Sequence, residues 1–318
     1  MTTQTTNASN SAILGDYVEA LFGGLVPDSD GVSAQLTHSL RTATCQLQTW
    51  QIQIGRPCWL RWSLWLERPL NHELTETFSC LLSPDACWPH CINDEARQQV
   101  RASGVALAYF NRLEIAHDGP DRQRSGPIFE HWPHTRWGAI SAWAWAIQRS
   151  VDALLQIGCK PGQLGLIGHS RSGKAALLAA ATHPGIALTV AHNSGTAGAA
   201  SFKVQGAGAE SLNALQMAFP HWLGSQACLP EVQQRIQAID SVVLLQAIFP
   251  RQVCIMQALD DAWSNPVGTR MTFDNLQAHY AAHGMARNVH WRERTGGHAM
   301  TPQAWQQAAS LLAQLSGD

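Results

Sequence analysis

The chain has 318 residues, of which 45% are hydrophobic and 14% charged, enough apolar material for one sizeable α/β core. Twenty-one basic residues against 23 acidic ones leave a formal charge of −2 with no basic cluster, which excludes electrostatic capture of nucleic acid or of an anionic membrane. No run approaches the ~18 apolar residues of a membrane span, and the polar N-terminal stretch has no secretory apolar core, so the chain as given is expected to be cytoplasmic.

Residues 1–12 read as a flexible tail, and Tyr17–Phe22 as a short helix. Apolar and polar residues then alternate over Ala43–Ile54 and again over Trp59–Glu67, where Leu60, Trp62, Leu64 and Leu66 share one face. These predict early, antiparallel strands at a sheet edge. Thr75–Leu82 is a further strand candidate, followed by a Pro/Cys/Trp loop over 84–91. A polar helix, Asp94–Ala102, leads into the strand Gly104–Phe110.

Segment 111–135 has no periodicity and predicts a long loop over the active face. The apolar stretch 136–156 predicts a buried helix. A strand ending in LGLIG, a helix over Arg171–Thr182, a strand over Ala187–His192 and a Gly/Ala-rich loop at 194–209 come next. Helices are expected over 210–218, 230–246, 266–283 and 302–315, with strands over Gln252–Leu259 and Asn288–Arg294. Strand and helix alternate from residue 104 onward, which predicts a three-layer α/β fold with a mostly parallel sheet covered by helices on both faces. No linker or repeat divides residues 1–318, so one domain is expected.

The thirteen tryptophans either fill a core or line a sugar-binding surface. The eight cysteines include no C-x-x-C pair. Cys87 and Cys91, with His90 between them, form a single C-x₃-C, too little for zinc, and read as buried thiols. Neither a metal nor an organic cofactor is expected.

Chemistry concentrates at Gly168-His169-Ser170-Arg171-Ser172, between a predicted strand and a predicted helix. A nucleophile at such a turn takes a strained backbone conformation, and only small flanking residues let the turn close. Ser170 fits that demand, with Ser172 where glycine is usual. A serine nucleophile needs a base, and the base needs an acid to orient it. In the α/β-hydrolase chain order the base follows the last strand, where His298 stands after Gly296 and Gly297. Of the competing histidines, which include His169, His192 and His221, only His298 occupies that slot. The acid follows the preceding strand, where Asp260 and Asp261 both stand; Asp261 is favoured and Asp260 is the alternative. The Arg171 N–H at the start of the helix is expected to hold the oxyanion, with a second donor from an earlier loop such as 84–91. Arg171 and Lys174 lie one helical turn apart and can both approach the pocket.

GHSRSGKAALLAAA, together with WGAISAWAWA upstream and NSGTAGAA, AFPHW, ALDDAWSNP and GGHAMTP downstream, resembles the glucuronoyl esterases of carbohydrate esterase family 15, especially the bacterial branch. The likeness spans about residues 104–310. It implies an α/β-hydrolase fold and a serine esterase that cleaves 4-O-methyl-glucuronate esters linking xylan to lignin alcohols. Ser170 matches the nucleophile, His298 the base and Arg171 an arginine that helps hold the oxyanion. Lys174 matches a lysine that binds sugar hydroxyls, Glu210 and Gln216 match polar residues near the sugar, and Trp263 matches a tryptophan beside the uronate. Three departures stand out. Asn193 occupies the slot where many members carry the catalytic Glu, Ala299 follows the histidine where Asp is frequent, and no export signal is visible.

The expected partner is therefore a small or oligosaccharide uronate ester, with no nucleic acid and no membrane. The alternatives are an acetyl or other small-ester carbohydrate esterase on the same triad, and a non-catalytic sugar-binding module.

Overall fold

The computed structural model describes residues 2–27, 30–70 and 77–315, with side chains from Ser11 onward. Helix α1 (Thr2–Phe22) precedes strands β1 (Val32–Arg41), β2 (Cys45–Ile54), β3 (Leu60–Pro69) and β4 (Phe78–Ser83). Next come α2 (Asp94–Ala102), β5 (Ala106–Phe110), the one-turn α3 (Pro127–His131), α4 (Ala139–Gln156), β6 (Cys159–His169), α5 (Arg171–Thr182) and β7 (Leu188–His192). The remainder is α6 (Leu212–Ala218), α7 (Pro230–Ile239), α8 (Val242–Gln246), β8 (Gln252–Ala258), α9 (Pro266–Ala282), β9 (Val289–Arg294) and α10 (Pro302–Gln314).

The strands form one sheet in the order β1-β2-β3-β5-β4-β6-β7-β8-β9. β4 to β9 are parallel, and β1 to β3 add an antiparallel edge. β3 shows why the early alternation is structural: Leu60, Trp62, Leu64 and Leu66 are buried, and Trp62 lies opposite Ile52 of β2. Alternate residues of the parallel strands feed two separate cores. Leu81, Leu107, Ile167, Leu188 and Val190 pack with Trp305 and Leu312 of α10. Cys80, Leu82, Ala106, Leu164 and Ile255 pack on the face covered by α4 and α5. This is the three-layer arrangement that the alternation predicts. Six of the thirteen tryptophans are buried in these cores, namely Trp62, Trp137, Trp143, Trp145, Trp222 and Trp305, whereas Trp263 is 49% exposed.

The structure differs from the sequence reading at four places. The helix of the N-terminal segment reaches back to Thr2, where a flexible tail was expected over 1–12. Its C-terminal half is anchored by Tyr17, Val18, Leu21 and Phe22, all buried, and Phe22 O accepts the Gly138 N–H at 3.1 Å. β1 carried no sequence signal because it lies at the sheet edge with both faces largely exposed, so nothing enforces an apolar alternation. The helix expected over 230–246 breaks at Asp240, whose φ is +73°. The buried Asp240 carboxylate there accepts bonds from Ser201 Oγ at 2.6 Å and Phe202 N at 2.9 Å, which a continuous helix would not place. The strand expected from Thr75 begins at Phe78, and residues 75 and 76 lie outside the described ones.

Candidate active site

The turn between β6 and α5 explains its own sequence. Ser170 sits at φ +57°, ψ −121°, a left-handed conformation that a side-chain-bearing residue adopts only under constraint. The constraint is visible. Ser170 N donates to His192 O at 2.9 Å, and Ser170 O accepts from Gly173 N at 2.9 Å. A Cβ at Gly168 would stand 2.2 Å from Ser172 O, so the chain closes there only on glycine. Ser172, the departure from the usual second glycine, is buried and donates to Asp85 Oδ1 at 2.5 Å. The other Asp85 oxygen takes the His169 N–H at 3.1 Å, and Arg112 Nη1 lies 3.2 Å from Oδ1. Asp85, at the end of β4, thus clamps both sides of the serine turn.

The last strand delivers the imidazole. After β9 the chain passes Gly296 at φ +94° and reaches His298, whose Nδ1 lies 2.6 Å from Asp261 Oδ2. Asp261 is 6% exposed. Its burial favours the neutral acid, but the bond and charge from His298 outweigh that and hold its carboxyl below the usual range. The neighbouring Asp260 is exposed and accepts the Gly296 N–H at 2.6 Å, so it shapes the loop that carries the imidazole. Asn193, at φ +45° just after β7, donates from Nδ2 to the main-chain oxygen of His298 at 3.3 Å and accepts the Ala258 N–H at 2.7 Å. The competing histidines are engaged elsewhere. His169 and His192 are buried and share an Nδ1···Nδ1 bond of 2.8 Å, and His221 meets Asp118.

One pocket of about 110 Å³ brings together Ser170, Arg171, Lys174, Glu210, Trp263 and His298. Lys174 is 4% exposed, and its ammonium reaches Ser194 O at 2.8 Å, Thr196 O at 2.5 Å and Glu210 Oε2 at 3.5 Å. Burial pulls its pKa down against the opposing pull of Glu210. Trp263, at the pocket rim, accepts the Glu210 N–H on its carbonyl at 3.0 Å. Gln216 does not line this pocket but a separate cavity, with its amide bonded to Ala227 O and to Gln233 Nε2. The loop 84–91 contributes no lining residue either. It acts from behind, where Trp88 lies 4.8 Å under the Arg171 guanidinium.

Three residues with no role in the sequence reading shape the pocket: Phe219 and Trp222 line it, and Asp118 holds Arg171 and Trp222 from behind. Phe219 and Trp222 stack with ring centroids 3.8 Å apart, and Trp222 lies 4.5 Å from the Arg171 guanidinium. Asp118 accepts Arg171 Nη1 at 2.5 Å, Trp222 Nε1 at 2.8 Å and His221 Nε2 at 3.0 Å. Burial alone would raise its pKa, but these donors and the Arg171 charge hold it well below the usual carboxylate range. Arg171 Nε, by contrast, is buried with no protein partner. Asp118 lies in the aperiodic segment expected over the active face, and AFPHW contains both aromatics. No spacing rule links either stretch to the serine turn.

The arrangement offers a nucleophile at a strained turn, an imidazole backed by a carboxylate, and an N–H-rich helix start. A family model described as glucuronyl esterase, fungi, matches residues 71–284. The chain is 28% identical over 225 residues to a 4-O-methyl-glucuronoyl methylesterase of Podospora anserina, covering 66% of this chain and 46% of that protein. It is 31% identical over 209 residues to a protein of the same name from Thermothelomyces thermophilus, covering 62% and 52%. The chain thus spans about half the length of these curated relatives. In three dimensions it resembles a glucuronoyl esterase from Solibacter usitatus, with a TM-score of 0.82 at 20% identity over 97% of this chain and 92% of that one, which establishes the α/β-hydrolase fold.

Proposed function

The chain belongs to the glucuronyl esterase family, and on that premise we propose that it is a serine carboxylesterase hydrolysing uronic-acid esters of the 4-O-methyl-glucuronate type through an acyl-enzyme on Ser170. The observation that carries this reading is the 2.6 Å contact between His298 Nδ1 and Asp261, in a ring that lines the same pocket as Ser170. With Nδ1 held by the carboxylate, Nε2 is the basic edge.

Ser170 Oγ attacks the ester carbonyl as His298 Nε2 takes its proton. The tetrahedral oxyanion meets the Arg171 N–H, which as the first residue of α5 has no intrahelical acceptor, and the unpartnered Nε–H of the same residue. His298 returns the proton to the leaving alcohol as the C–O bond breaks. Water, deprotonated by His298, then attacks the acyl-enzyme, and the uronic acid and Ser170 are released. Asp261 keeps the imidazole in the right tautomer and stabilises its charged form.

The sugar is read by the remaining lining. Lys174 and Glu210 pair a donor with an acceptor suited to vicinal hydroxyls, and the half-exposed Trp263 indole offers an apolar face to a pyranose ring. The scissile carboxyl is uncharged while esterified, so Lys174 acts on hydroxyls rather than on that group.

The experiment compares benzyl alcohol release from benzyl glucuronate with acetate release from acetylated xylan. Fast release from the uronate ester and loss of it in Ser170→Ala are expected. A negligible rate on the uronate ester with brisk deacetylation would replace the substrate class. No labelling of Ser170 by a fluorophosphonate would leave a sugar-binding module.

A further inference from the structure

Phe219 and Trp222, which line the catalytic pocket, flank in sequence two residues that line another cavity. Those two, Pro220 and His221, line a cavity of about 660 Å³, six times the volume of the catalytic pocket. Its fourteen lining residues include Arg122, Arg124 and no carboxylate, in a chain whose net charge is negative. Arg122 is pinned by one donor to Met217 O at 3.1 Å and Arg124 by one donor to Leu223 O at 2.7 Å. These anchors fix both side chains without neutralising them, and each guanidinium keeps further N–H groups for a ligand. Arg112 and Arg171, in contrast, are met by Asp85 and Asp118. Arg122 is also held at φ +56°, a conformation that a non-glycine residue keeps only when the surrounding turn enforces it.

Guanidinium groups anchored to main-chain oxygens, in a lining without carboxylates, favour a carboxylate ligand, which either one can hold through paired bonds. Thr135, Ser225 and Gln123 add groups suited to ring hydroxyls, and Phe129 adds an apolar face. We propose that this cavity is a subsite for an anionic saccharide unit: a free uronate borne by the same carbohydrate that presents the ester to Ser170. The proposal rests on the esterase reading for its location along the substrate, and on the cavity alone for its chemistry. It makes the enzyme prefer esters on acidic oligosaccharides over the same ester on a neutral one.

The test separates the two sites. The full chain is labelled on Ser170 with a small fluorophosphonate, which fills the catalytic pocket, and is then titrated calorimetrically with a xylotriose carrying one free glucuronate, with unsubstituted xylotriose, and with glucuronate alone. Binding of the acidic trisaccharide at least tenfold tighter than the neutral one is expected, weakening as salt rises. In Arg122→Ala/Arg124→Ala that preference should vanish while neutral binding stays the same. Tighter binding of the trisaccharide than of free glucuronate places the uronate on the substrate chain, whereas equal binding reduces the site to one for free carboxylates. Equal binding of acidic and neutral trisaccharides, or an undiminished preference in the double variant, overturns the proposal. If Ser170 does not react, the esterase reading falls, and the same titration of unlabelled protein with and without the arginines still decides the cavity.

Discussion

His298 turns Nδ1 onto Asp261 Oδ2 at 2.6 Å, whereas Asp260, its neighbour in sequence, takes the Gly296 N–H at the same distance. Twin carboxylates that sequence position alone does not separate are thus divided between ring and loop. Asp261→Asn leaves a group that can bond the ring but favours the wrong tautomer, and kcat on benzyl glucuronate should fall by about 10³–10⁴ with KM nearly unchanged. Asp260→Asn should cost less than about tenfold. Equal losses in the two variants would contradict this division.

The family resemblance leads one to expect an acid for the imidazole at the position of Asn193, yet Asn193 bonds the His298 main chain and not the ring. An acidic side chain there cannot donate to His298 O, so Asn193→Glu should not rescue Asp261→Asn. The double variant is expected to stay within threefold of Asp261→Asn in kcat across pH 5–9. Recovery of a tenth of wild-type activity would show that the carboxylate can reach the ring.

Much of this architecture was readable from residue order. The elbow, its helix and the late histidine loop stand out because their chemistry demands small residues and fixed positions between strand and helix. The alternation of β3 was equally plain, since a strand with one buried face must alternate. What escaped is set by long-range contact. Asp118 lies 53 residues before Arg171, in a stretch with no period, and only the folded chain shows that it holds the guanidinium. The resemblance groups Gln216 with Lys174 and Glu210, but α6 carries it into a different cavity, with its amide bonded to Ala227 O. β1 had no signal because neither face is buried enough to require one.

Asp118 holds Arg171 by Nη1 and leaves Nε unpartnered beside the serine turn. Removing the arginine should lower kcat by about 10²–10³, the usual effect of losing one oxyanion donor. Asp118→Asn keeps a hydrogen bond but loses the charge, and a fall of about tenfold in kcat with KM unchanged is expected. If Asp118 acts only through Arg171, Asp118→Asn/Arg171→Ala should be no slower than Arg171→Ala. Additive losses would assign Asp118 a separate role.

Lys174 and Glu210 form a buried pair 3.5 Å apart on the pocket floor. Lys174→Met strands the Glu210 carboxylate and should destabilise the fold by about 3–5 kcal/mol in chemical denaturation. Adding Glu210→Gln should recover most of that stability. Activity should separate from stability: kcat/KM of the double variant on benzyl glucuronate is expected to stay about 10²-fold down, against less than tenfold on a simple acetate ester. Equal losses on both esters would remove the pair from sugar recognition.

The buried bond between His169 Nδ1 and His192 Nδ1 makes the fold sensitive to mild acid. Burial is the main force lowering both pKa values, His192 to about 3 from an ordinary 6.5, and His298, Arg294 and His90 add repulsion that Asp261 only partly offsets at His192. Between those values the unfolded chain binds protons that the folded chain refuses. The His192 contribution to stability is therefore complete above pH 6.5 and is lost as pH falls toward 3, by on the order of 1 kcal/mol per pH unit, and the depressed His169 acts in the same direction. Asp118 acts in a lower window: its carboxyl is held below its ordinary 3.8, so its contribution is lost only as pH drops below that value. Melting temperature measured from pH 7.5 to 4.5 should fall steadily in the wild type. In His192→Asn, which can still bond His169 Nδ1, the slope should be about half as steep. An unchanged slope would mean that the pair takes up its protons without unfolding.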